Sequence, residues 1–293
     1  MKLLSYSHKG KPGWGALALD GRGIVDLSRR QSAFTSVLQY LESGAEGFSQ
    51  IQHILHGCSA DYGLADIQLD LPVTRPGKIF CIGVNYARRQ ADYADFKTGT
   101  EPPAYPSVFL RVPASFVPHG GTLLLPPESV KLDYEAEIGL VIGRGGRRIA
   151  RAEALNHIAA LTCINEGTMR DWTKHGKFNV TQGKNWTSSG AMGPWIVTTD
   201  EFSEGFDNIR VQARVNGQTR QNDSTQNLIF DFSFLIHYLS TFTDLAPGDI
   251  IATGTPIGTG ARLNPPVFLK QGDVVEIDVS GVGILRNTVQ NEI

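Results

Sequence analysis

Two acidic side chains one residue apart, Glu135 and Glu137, interrupt the segment Asp-Tyr-Glu-Ala-Glu-Ile-Gly-Leu-Val-Ile at 133–142. Ala136, Ile138, Leu140 and Ile142 alternate with them, so the segment reads as a strand with both glutamates on one side and the aliphatic side chains on the other. Carboxylates at i and i+2 repel each other on a desolvated face, and the pair therefore suits either open solvent or a cation held between them. Glu166, just after the apolar run 161–165, is a candidate third oxygen donor. Three carboxylates without His or Cys favour a hard divalent ion, Mg2+, Mn2+ or Ca2+, over zinc. The competing reading is a solvated acidic strand face with an isolated glutamate in a turn.

Lys184, in Gln182-Gly183-Lys184-Asn185-Trp186, is a cation that could hold the negative charge of an enolate formed beside a metal. The bland alternative is a surface lysine in a polar loop. Thr253-Gly254-Thr255-Pro256-Ile257-Gly258-Thr259-Gly260 follows the apolar run 250–252, and its small residues let a ligand approach the backbone. It is not a P-loop, because Ala261 and Arg262 stand where the lysine should follow. The seven histidines have no ligand spacing, and no Ser-His-Asp arrangement can be argued from them.

The elements that must position these groups fall into two stretches. Residues 1–72 read as a small unit with short strands near 15–19 and 23–27. Two helices follow, one with Phe34, Val37, Leu38 and Leu41 ending at Gly44, the other with Phe48, Ile51, Ile54 and Leu55 ending at Gly57. Arg75-Pro76-Gly77 marks a boundary. Residues 76–293 are mainly β, with runs at 79–84, 107–111, 133–142, 160–164, 195–197, 209–215, 274–279 and 283–285. Helices are expected at 151–159 and at 226–242, the second turning Leu228, Ile229, Phe232, Leu235, Ile236 and Leu239 inward.

Composition narrows the partners. The 293 residues carry a formal net charge of -2 and 41% hydrophobic residues, giving no clustered basic face for nucleic acid or a membrane surface. Cys58, Cys81 and Cys163 form no CxxC pair, and no apolar run approaches a bilayer-spanning length, so a soluble cytoplasmic protein is expected.

Taken in order, these motifs resemble the fumarylacetoacetate hydrolase superfamily over residues 76–293. The matching residues are Gly83-Val84-Asn85-Tyr86, Asp133-Tyr134-Glu135-Ala136-Glu137, Asn165-Glu166 with Arg170-Asp171, Lys184, Gly193-Pro194 and Thr253-Gly254-Thr255-Pro256. The resemblance implies a mixed α+β, mainly β fold: a β-roll catalytic domain at 76–293 behind a small α+β N-terminal domain at 1–72, assembled as a homodimer. It implies a small-molecule substrate, a 2-oxo or 1,3-dicarbonyl acid from aromatic catabolism, chelated by Mg2+ (or Mn2+ or Ca2+) acting as a Lewis acid. By the same resemblance Glu135, Glu137 and Glu166 are the metal ligands, Lys184 the catalytic lysine and Thr255 part of the substrate loop. Arg111 is suitably placed in sequence to take a substrate carboxylate.

Two departures bear on the reaction. Glu166 stands where the family usually has Asp. Arg89 stands where it has His, and Asp92 replaces the glutamate that partners that His. Arginine cannot serve as a base at neutral pH. Hydrolysis of a carbon–carbon bond through a metal-stabilised enolate then falls to Asp92 as the base. Alternatively Arg89 binds a second carboxylate, which suits a decarboxylase or isomerase of an unsaturated 2-oxo dicarboxylate, or the chain is a catalytically silent oxo-acid binder.

Overall fold

The computed structural model describes residues 1–30, 33–90, 103–177 and 179–293. Asp92 lies outside the described residues. An eleven-stranded sheet dominates, with the main order Ile24–Asp26, Lys11–Leu17, Lys2–His8, Gly190–Thr198, Ile158–Asn165, Ala136–Ile142, Ile250–Ala252, Ile79–Ile82 and Val108–Arg111. A second sheet of five strands runs Gln218–Ser224, Arg210–Val215, Val274–Val279, Gly283–Asn291 and Thr122–Leu125. The chain is thus mixed α+β and mostly strand.

The strand Ala136–Ile142 is buried at every position because the large sheet is covered on both faces. Ala136, Ile138, Leu140 and Ile142 join a core with Val211, Ala213, Ile277 and Leu285 of the second sheet, and with Phe232, Leu235, Ile236 and Leu239 of the helix Phe232–Phe242. Val141, on the opposite face with the glutamates, packs in a second core with Val37, Leu41, Ile51 and Leu55 of the N-terminal unit. The alternation read from sequence holds, but the open-solvent reading of the glutamate face does not: Glu135 is 4% and Glu137 1% exposed.

The N-terminal strands extend the same sheet, with Lys2 opposite Val197 and Leu3 opposite Ile196. Sheet pairing therefore crosses the stretch between Gln68–Leu69 and Ile79–Ile82 where the sequence boundary falls. Within Val37–His56 the helix breaks at Gly44, whose φ of 64° only glycine adopts cheaply, as its position in the sequence suggested.

Two helix expectations need correction. Residues Arg151–His157 form a 3-10 helix, opened by Ala150, which has no side-chain oxygen to cap a longer one. The helix expected from 226 starts at Phe232, where the Asp231 carboxylate accepts from the Phe234 amide at 2.7 Å. Leu228 and Ile229 lie in the connection before it, because Asn85 pairs with both the amide and the carbonyl of Phe230 and holds this stretch extended.

Candidate metal and active site

The site forms where three neighbouring strands end together. Antiparallel pairing sets Ala136 against Asn165 and Glu137 against Ile164, which brings Glu135 opposite Glu166. The Glu166 amide donates to the Glu135 carbonyl at 2.8 Å and seals that register. On the other edge, Gly139 pairs with Ala252, so the loop from Thr253 emerges beside Glu137. The Gly254 amide donates to Glu137 Oε2 at 2.8 Å, from a backbone with φ of +100° that a side chain would strain.

Each of Glu135, Glu137 and Glu166 can offer one oxygen such that all three lie within 4.8 Å of one another. All are buried, so their charges need compensation. Lys184, at the end of the short helix Thr181–Lys184, supplies part of it: its Nζ lies 2.5 Å from Glu135 Oε2 and 2.5 Å from Glu166 Oε2. Arg170 pairs with Glu135 through Nη2 and with Asp133 through Nε at 2.7 Å.

Electrostatics separate the three acids. Burial pushes Glu135 up, but Arg170, Lys184 and Arg89 outweigh it and hold the carboxyl well below the usual range. Glu137 goes the other way: burial, then Glu166 and Glu135, drive it well above its ordinary value. Burial lifts Glu166 to about 7 against the pull of Lys184 and Arg111. For Lys184, burial lowers and the two glutamates raise, with a net increase that keeps the ammonium charged. The upward push on Glu137 from burial and its acidic neighbours signals a site short of positive charge, and an all-oxygen donor set suits a hard divalent ion. The residues fit such an ion.

Arg111 needs a correction. It is buried, and all five of its N–H donors meet protein acceptors: Ser115 Oγ at 3.1 Å, Glu166 Oε1 at 3.1 Å, the Gly167 carbonyl at 3.0 Å, the Ser115 carbonyl at 3.2 Å and Ser189 Oγ at 2.9 Å. No donor is left for a substrate carboxylate. Arg111 instead orients the longer Glu166 side chain, taking one oxygen and leaving the other to face Lys184. Gly190 makes room, since a Cβ there would stand 3.0 Å from both Nη atoms.

Arg89, in the short helix Ala87–Gln90, is 2% exposed and points into the site. Its Nη1 donates to Thr259 Oγ1 at 2.9 Å, and its Nη2 lies 3.9 Å from Glu135 Oε1. Thr255, further up the same loop, accepts from Gln221 Nε2 at 2.9 Å. Three of the histidines are engaged elsewhere: His157 and His237 meet the carbonyls of Arg144 and Ile149, and His119 accepts from the Arg286 amide.

Sequence reasoning missed three contributors. Asp133, fully buried, accepts from the Gly260 amide at 2.7 Å and the Ala261 amide at 3.0 Å, tying the far end of the loop to Arg170. Asn85 donates to the Thr253 carbonyl at 2.7 Å and fixes its near end. Both stood inside quoted motifs, and an acid or amide beside an apolar strand was the available signal. Gln221 left no such signal.

Comparison with known proteins bears on the family and the fold. The family model for the fumarylacetoacetate (FAA) hydrolase C-terminal region matches residues 78–290. A mitochondrial oxaloacetate tautomerase of Bos taurus is 32% identical over 99% of this chain and 91% of its own length. An oxaloacetate tautomerase of Bacillus subtilis (strain 168) is 38% identical over 78% of this chain and 75% of its own. The solved fumarylacetoacetate hydrolase of Exiguobacterium antarcticum superposes with a TM-score of 0.81 at 28% identity, covering both chains completely. With the family model spanning nearly all of the chain beyond the N-terminal unit, the chain belongs to the fumarylacetoacetate hydrolase family.

Proposed function

We propose that this protein is a divalent-metal-dependent enzyme that interconverts the enol and keto forms of a 2-oxo dicarboxylate, with oxaloacetate as the substrate to test first. The observation that carries the reading is the guanidinium at position 89, buried beside Glu135. A guanidinium does not serve as a base toward water, and it suits a substrate with a carboxylate at each end. The names of the two tautomerase relatives support the same reaction.

Glu135, Glu137 and Glu166 would hold Mg2+ or Mn2+, which when bound supplies Lewis acidity at the 2-oxo acid. Lys184 keeps its ammonium against the oxygen that gains negative charge as the enol loses its proton. Arg89 takes the distal carboxylate, while Thr255 and the backbone of 253–260 shape the oxygen-facing wall. Tautomerisation moves one proton between oxygen and carbon and keeps the carbon skeleton whole.

The test is to mix oxaloacetate in its enol form with protein and Mg2+ and follow the enol absorbance, with separate assays for carbon dioxide and for pyruvate. Enol decay at least about tenfold faster than in buffer, without either product, is expected. Carbon dioxide and pyruvate appearing at the rate of enol loss would establish decarboxylation instead. Turnover of an acylpyruvate into two acids would establish hydrolysis.

A further inference from the structure

Gln221 lies in the strand Gln218–Ser224 of the second sheet, yet its side chain reaches the acid strand and the substrate loop of the first. It is 1% exposed. Its Oε1 accepts from the Ala136 amide, between the two glutamates, at 2.9 Å, and its Nε2 donates to the Pro256 carbonyl at 2.7 Å and to Thr255 Oγ1 at 2.9 Å.

These partners settle the direction of every bond. A backbone amide can only donate and a backbone carbonyl can only accept, so the carboxamide cannot be turned over. The remaining Nε2 hydrogen therefore points at the Thr255 hydroxyl, which acts there as acceptor. Its own hydrogen must point elsewhere, and among the described residues it meets no acceptor. Thr255 is 7% exposed and adjoins Gly254, whose amide is on Glu137.

Resting on the oxo-acid reading above, we propose that Gln221 is a positioning residue that occupies one lone pair of the Thr255 hydroxyl and leaves its hydrogen to donate to a substrate carboxylate oxygen. The site thereby favours ligands presenting an acceptor oxygen at this point of the loop, because one lone pair of the hydroxyl is already taken while its hydrogen is still unmet among the described residues. Gln221 also fixes the distance between that hydroxyl and the acid strand, since one planar amide spans both.

The experiment is a double-mutant cycle on the Kd of oxalate, measured by titration calorimetry in excess Mg2+, with oxaloacetate enol decay followed in parallel. Q221E keeps the acceptor for the Ala136 amide but offers Thr255 an acceptor in place of a donor, which turns the hydroxyl hydrogen away from the ligand. Q221E and T255V should each weaken oxalate binding by roughly tenfold or more, and T255S should stay within about threefold of wild type. In the T255V background, Q221E should change Kd by less than about twofold. Equal weakening by Q221E in both backgrounds would show that added charge is responsible and overturn the proposal, as would wild-type protein that does not bind oxalate. Should Q221E lose its folded circular dichroism signal, Q221M replaces it under the same criterion. Wild type that binds oxalate but leaves enol decay at the buffer rate removes the tautomerase reading alone. An additive cycle in an active wild type removes the role of Gln221 alone.

Discussion

The Lys184 ammonium and Glu166 Oε2 are 2.5 Å apart, while the other oxygen of Glu166 accepts from Arg111. Lys184 thus occupies ground that a divalent ion would share. Replacing it by Met removes a competing cation, so K184M should bind Mg2+ at least as tightly as wild type. Turnover of oxaloacetate should fall by about a hundredfold or more, because the charge facing the enolate oxygen is gone. Calorimetry with Mg2+ beside kcat measurement checks this, and parallel loss of both would mark Lys184 as structural.

Removing one of the three carboxylate charges should act in the opposite sense. E137Q keeps the shape of the side chain and an acceptor for the Gly254 amide but lacks the charge. We expect Mg2+ affinity to drop by about tenfold or more with the far-ultraviolet circular dichroism unchanged. Undiminished Mg2+ binding by E137Q would remove Glu137 from the ligand set.

The raised acids give the metal-free protein an unusual pH profile. Glu166, lifted from 4.5 to about 7, and Glu137, also raised by burial and its acidic neighbours, bind protons in the folded state that they release when unfolded. Between pH 4.5 and 7 the native state carries the extra protons, so stability falls as pH rises through this window. Glu135, held low, contributes its change below that window. Thermal melts in EDTA should show Tm decreasing from pH 5 to pH 7.5, and saturating Mg2+ should offset the decrease. A flat metal-free profile would contradict the shifts.

Arg111 is predicted to matter for folding before catalysis. R111M leaves Glu166 Oε1, two serine hydroxyls and two carbonyls without their donor in a dry site. A cost of about 3–5 kcal/mol is expected for breaking one side of a buried pair, read as a lower denaturation midpoint. A change within about 0.5 kcal/mol would show that the buried fork is dispensable.

How far the sequence reached follows from what each signal encodes. Spacing placed Glu135 and Glu137 on one face because strand alternation is local, and Glu166 joined them through motif order. Lys184 was legible as a cation in a motif. The task of Arg111 was not, since its acceptors come from 115, 166, 167 and 189, and a one-dimensional pattern does not say that they enclose it. Gln221 escaped notice because its strand, Gln-Thr-Arg-Gln-Asn-Asp-Ser, turns polar residues inward and shows no apolar period. The helix at 226–242 was overextended because Leu228 and Ile229 continue the apolar pattern, while Asn85, far away in sequence, holds the backbone out of the helix.

The register that sets Ala136 against Asn165 works as a ruler. The separation of Glu135 from Glu166 is inherited from the spacing of neighbouring strands, about 5 Å, and owes nothing to the ligand it serves. Sliding one strand by a single residue would send one of these acids to the opposite face. Insertions should therefore be fatal within 133–142 and 158–166 and tolerable at 203–205, exposed residues on the connection between the two sheets. The spacing of the three acids and the surfaces that can drift are thus physically separate.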